Sequence, residues 1–143
     1  MGFRSLVLFI LAPLLLAPAA FYGQTPQAEP EPRYDTNSIA AINVMVVVAG
    51  QREVAKGNPL SGTHLLVRPE SAKTDSDTLD VYLAPADYLK DFEVAFVKGD
   101  RLQVTGCKVK YGGNSMILAR EVRRDTTTLY LRDNRGNPFW KKS

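Results

Sequence analysis

Cys107 and His64 are the single thiol and the single imidazole of a 143-residue chain, so any nucleophile and base pair would have to be built from them. A reactive thiolate needs a base or a cation beside it. Nothing in their spacing brings these two together. Cys107 shares the parity of Val109 in an alternating run, which is the place of a small packed hydrophobe, and an inert buried thiol is the expectation. A zinc site needs several His or Cys ligands, and one of each does not complete it. Asp75, Asp77 and Asp80 could gather around a hard cation, but SAKTDSD lacks the glycine and distal glutamate of an EF-hand loop and reads as a solvated turn. No CxxCH, P-loop or GxGxxG occurs, so no catalytic residue, metal or cofactor is expected.

Binding is the chemistry that remains. In THLLVRP and TLDVYLA, Leu65, Val67, Leu79, Val81 and Leu83 share one parity, while His64, Arg68 and Tyr82 share the other. If the first set points into a core, the second faces outward together as a titratable ring, a cation and an aromatic platform, a candidate ligand-binding face. A second candidate is a basic edge of Arg120, Arg123, Arg124, Arg132 and Arg135, which could track a nucleic-acid backbone. The formal net charge of only +3 and the single aromatic and single arginine on the strand face count against nucleic acid.

Those residues need strands to hold them. After a start near Ile39, INVMVVVAGQREV (42–54) is apolar on both parities and reads as one long strand shared by two sheets. GNPLSG turns the chain into THLLVRP, and SAKTDSD leads to TLDVYLA. In PADYLKDF the period changes, with Pro85 suited to a first helical position, Asp87 near the positive end and Leu89 with Phe92 as an apolar pair. A Lys-Gly-Asp turn then opens DRLQVTGCKV, whose phase slips at Thr105-Gly106, the mark of a β-bulge. YGGN is a hairpin turn, SMILAREV returns, and TTLYLRD with DNRGNPFW adds a strand and a turn. Three strands, a short helix, two strands and an extra C-terminal strand are the element order of an all-β, OB-fold-like Greek-key barrel.

The N-terminal end carries a different signal. Arg4, an apolar run from Leu6 to Phe21 broken by Pro13 and Pro18, and Ala17-Pro18-Ala19 read as a secretory signal peptide over residues 1–23. The run is short of the roughly 20 apolar residues a spanning helix needs, so cleavage, rather than retention as an anchor, is expected. Residues 24–38, rich in Pro and polar side chains, read as a mobile tether. Residues 39–143 form the domain. One cysteine permits no internal disulfide, although the implied compartment would allow it.

The stretches GTHLLV, VYLAPADYL, KGDRLQVTGCKV, ILAREV and LYLRDNRGNPFW together resemble a family of small exported bacterial domains related to the magnetosome proteins MamS and MamX. The resemblance covers about residues 42 to 140. It departs from the family at Cys107, where a serine follows VTG, and at Leu83-Ala84-Pro85, where the family reads leucine-glycine-proline. The resemblance implies an exported OB-like or DNA-binding-like domain and supplies no catalytic residue. The combined expectation is an exported, periplasmic or secreted, non-enzymatic binding module for a small ligand, a glycan or a protein partner. A nucleic-acid-binding protein and a thiol-dependent enzyme using Cys107 are the alternatives.

Overall fold

The computed structural model describes residues 30–48, 52–53 and 59–141, the pair 52–53 by its backbone alone. The expected signal peptide and the first part of the expected tether lie outside the described residues. Asp35 caps a 3-10 turn at Thr36–Ser38 by accepting from the Asn37 backbone N–H. Then follow β1 (Ile39–Val46), β2 (Arg52–Glu53), β3 (Thr63–Pro69), β4 (Leu79–Ala84), helix α1 (Ala86–Lys90), β5 (Arg101–Tyr111), β6 (Asn114–Arg124) and β7 (Thr127–Tyr130). The described chain is thus mostly β-sheet with one short helix, as its alternating parities predict.

Two boundaries differ from expectation. The long strand over 42–54 ends at Val46, because the turn at 98–100 closes on it: Val46 N–H donates to Asp100 O and Gly99 N–H donates to Val46 O. It has a neighbour on each edge, β5 along its length and β3 at Val44–Val46, and of its two parities only that of Val44 and Val46 is buried. Pro85 precedes the helix as its N-cap with ψ 144°, rather than opening it. A single turn this short draws its stability from packing. Leu89 supplies that by entering the core, while Phe92 stays largely exposed against the Tyr88 ring.

The pairings close on themselves. β1 pairs β5, β5 pairs β6, β6 pairs β4, β4 pairs β3, and β3 returns to β1; only the β4–β6 pairing is parallel. β2 and β7 are additions, on β3 and β6. Inside this ring lie Val44, Val46, Leu65, Val67, Val81, Leu83, Leu102, Val104, Ile117 and Val122, with Leu89 and Phe96. Each buried side chain of this size contributes about 1.5–3 kcal/mol. The inward parity read for Leu65, Val67, Val81 and Leu83 is the parity found.

A register shift does occur at Thr105-Gly106, but β5 keeps its alternation there and the shift comes from the partner strand. Thr105 lies opposite Glu121 and Gly106 opposite Ala119, so Arg120 is the extra residue on β6. At Gly106 the strands approach so closely that a Cβ would sit 2.1 Å from Leu118 O. With the alternation of β5 unbroken, Cys107 faces away from the inner core that takes Leu102 and Val104. It joins a second buried cluster on the outside of the ring with Leu60, Tyr82, Met116 and Leu118, covered by Tyr34, Ile39 and Trp140. Cys107 is therefore buried as expected, but outside the ring of strands and not within it.

Candidate functional site

The face of β3 and β4 that was expected to be open is covered. His64 and Tyr82 stand opposite each other in the β3–β4 register, with ring centroids 5.1 Å apart. Each is about 2% exposed. Their parity was read correctly, yet outward from the ring does not mean outward to solvent. Leu60, Tyr34 and Trp140 come from other parts of the chain to lie over them, and Trp140 meets Tyr82 edge-on at 6.4 Å. Arg68 shares the parity but not the place. Four residues along a strand is roughly 13 Å, and Arg68 pairs with Asp75 beside a separate polar groove that also includes Glu70 and Arg101. The three expected ligand-binding residues are thus split into a buried pair and a distant ion pair.

His64 is held at both ring nitrogens. Nε2–H donates to Leu60 O at 2.8 Å, since a carbonyl only accepts, and Nδ1 lies 2.9 Å from Asp80 Oδ1. Both ring nitrogens are thus within hydrogen-bond distance of an oxygen. With both nitrogens committed, none is left to activate a thiol. Burial also pushes the Cys107 thiol above its ordinary value, opposed by a backbone hydrogen bond from Asp35, and a thiol so placed is a poor nucleophile. Burial likewise pushes Tyr82 up to about 12.

The His64–Asp80 pair forms one wall of a cavity of about 210 Å³. Leu60 and Met116 give it an apolar lining; Tyr111, Gly112, Asn114 and Ser115 bring in the β5–β6 hairpin. Asp80 is 27% exposed at its side chain and Asn114 is exposed, so carboxylate and amide stand at the mouth above an apolar floor. Sequence reasoning placed His64 at this site and missed the hairpin residues. The YGGN turn was legible, but which strand face it would fold over depends on the parallel β4–β6 pairing of Asp80 with Met116.

The five arginines of the expected basic edge do not form one surface. Arg124 donates to Ala95 O at 2.8 Å, pairs with Asp100 at 3.1 Å and lies over the Phe96 ring. Arg123 is exposed and bonds to Asp125 O, Arg120 is half-buried at the bulge, and Arg135 is exposed on the C-terminal turn. Arg132 is buried. The physical reason is the alternation and bulge of β6, which send Arg120, Arg123 and Arg124 to different places, while Arg132 and Arg135 lie beyond β7. Asp75 and Asp80, weighed and set aside as cation ligands, pair with Arg68 and His64 respectively.

Among the described residues no helix is long and apolar enough to cross a membrane. Residues 45–129, more than half of the chain, match the model of the MamS/MamX magnetosome protein family. Comparison with curated proteins and with solved structures returned no match.

Proposed function

From the premise that this chain belongs to the MamS/MamX magnetosome protein family, we propose that it is an exported, non-enzymatic binding module of OB type. Its ligand is a compact, uncharged, sugar-like molecule. The observation that carries this reading is the position of the cavity. Taking the ring strands alone, β1, β3, β4, β5 and β6 follow one another as an OB barrel's five strands do, with the helix between the third and fourth. OB domains take ligands on their second and third strands, between the loop joining strands one and two and the loop joining strands four and five. The cavity is lined by Leu60 from the segment between β1 and β3, His64 and Asp80 from β3 and β4, and Tyr111, Gly112 and Asn114 from the β5–β6 hairpin.

The lining favours the ligand class. An apolar floor with a few convergent polar groups is the usual composition of a small-molecule site. Asp80 accepts hydrogen bonds and the Asn114 amide both donates and accepts, a set that matches vicinal hydroxyls. Among the described residues no Lys or Arg lines the cavity, which weighs against a phosphate-bearing strand. Fold alone does not set function, so the reading rests on these side chains. Amide NMR of the mature chain titrated with glucose, N-acetylglucosamine and their disaccharides tests it. Saturable shifts confined to Asp80, Tyr111, Asn114 and Ser115, abolished by Ser115→Trp filling the cavity, are expected. Steeply salt-dependent binding of a short oligonucleotide at the same residues would overturn it.

A further inference from the structure

Arg132, just beyond β7, is about 5% exposed. It is held from one side by Nη1–H donating to Gly136 O at 2.9 Å, across a turn that Asp133 closes by accepting from Arg135 N–H and Asn137 N–H. Its guanidinium lies between two rings, 5.6 Å from the Tyr34 centroid and 5.2 Å from that of Trp140. Two rings offset part of the cost of burying the charge. The Glu31 carboxylate offsets a further part at longer range, without contact. Among the described residues Arg132 has no ion pair, and Glu31, at the arm that covers it, pairs with Lys141 at 3.2 Å. Nε and Nη2 are both buried without a hydrogen-bond partner among the described residues.

Those two atoms have a particular chemistry. Nε–H and Nη2–H point in parallel from one edge of the guanidinium, the edge that grips a carboxylate or phosphate with two bonds at once. Leaving buried donors of a cation unpaired is costly and uncommon. A further donor, the Tyr34 hydroxyl, is also buried without a partner. Tyr34 belongs to an arm, residues 30–38, whose other side chains are mostly exposed. It seats against Gly136, where a Cβ would come within 2.2 Å of Tyr34 Cδ1. The left-handed φ of +88° at Gly136 suits glycine as well.

We propose that the Nε–Nη2 edge of Arg132 is a receptor for an oxyanion, the carboxylate or phosphate group of a small ligand, admitted when the Tyr34 arm lifts. This site is separate from the sugar-like cavity, and neither proposal depends on the other. Thermal unfolding of the mature chain, with inorganic phosphate or succinate exchanged for chloride at constant ionic strength, tests it. In the wild type one of these probes raises Tm by about 5 °C at saturation, and the larger response identifies phosphate or carboxylate as the preferred group. Arg132→Lys, which keeps the charge but loses the two-pronged edge, removes the response. An equal rise in both proteins marks a general salt effect and overturns the proposal, as does no rise in the wild type. Should the variant fail to fold, the Arg132 Nε–H resonance of the wild type decides. A saturable downfield shift with either probe supports the receptor, and an unmoved resonance with both rejects it.

Discussion

The two buried regions of this domain lie on opposite faces of the same strands and are built by different rules. Inside the ring, the side chains are aliphatic or aromatic and come from alternate positions of five strands. Outside it, Tyr82, Cys107, Met116 and Leu118 pack beneath Leu60, Tyr34 and Trp140, with His64 and Arg132 at the margins. The inner core asks only that apolar surface leave water. The outer one buries titratable and charged groups, so each polar atom needs a partner or costs stability. The difference teaches where chemistry can reside in this chain: both candidate sites, the cavity beside His64 and the edge of Arg132, border the outer cluster.

Both regions depend on the bulge, and breaking it has the largest expected effect. Gly106→Val would drive a side chain into the Leu118 carbonyl, from which even a Cβ stands at only 2.1 Å. Backbone on both strands has no room to yield, so a loss above about 4 kcal/mol is expected. Urea unfolding monitored by circular dichroism measures it. A variant with near-wild-type stability would mean that the two strands can separate at this point without disturbing either core.

An alkaline titration separates the two regions without changing any side chain. Tyr82 in the folded state is raised to about 12 from an ordinary 10.0. Between these values the unfolded chain loses the proton and the folded chain keeps it, so stability is intact below pH 10 and falls as pH rises toward 12. At about 1.4 kcal/mol per pH unit the loss is roughly 2–3 kcal/mol. Tyr34 and Cys107, also raised by burial, act in the same direction. Urea midpoints at pH 9 and pH 11.5 should fall in the wild type and fall less in Tyr82→Phe. An identical fall in both would assign the alkaline sensitivity to other groups.

The smallest expected effect is at Cys107. Replacement by Ser puts a hydroxyl among Leu60, Tyr82, Met116 and Leu118 and should cost on the order of 1 kcal/mol. The wild-type thiol should react slowly with a maleimide until denaturant is added. Rapid labelling of the native protein would show the outer cluster to be open, and would separate it from the inner core more sharply than its composition does.

Much of the fold was legible because a strand's side chains alternate with period two. Leu65, Val67, Val81 and Leu83 announced the inner face, Thr105-Gly106 announced where the register shifts though not that the extra residue lies on β6, and YGGN announced the hairpin. The site was legible only in part. His64 and Tyr82 were placed on one face, but their cover is Leu60, Tyr34 and Trp140, and Trp140 lies 58 positions from Tyr82 in the chain. No periodicity encodes a contact at that range. The reading of residues 24–38 as a mobile tether likewise missed Tyr34, a lone aromatic in a polar stretch whose partner is a buried arginine near the other end.

By itself the sequence determined what each strand offers to its two faces, where the chain turns, and that a single thiol allows no disulfide within the chain. These follow from local sterics and from the count of functional groups. Tertiary structure alone decided which second face would meet water. The closing of β1 onto both β3 and β5, the parallel pairing of β4 with β6, and the return of the arm and the C-terminal turn over Tyr82 turned an expected open surface into a second core. Burial is a property of what arrives from elsewhere in the chain, and it left Arg132 with a charge-bearing edge out of water and, among the described residues, without a hydrogen-bond partner.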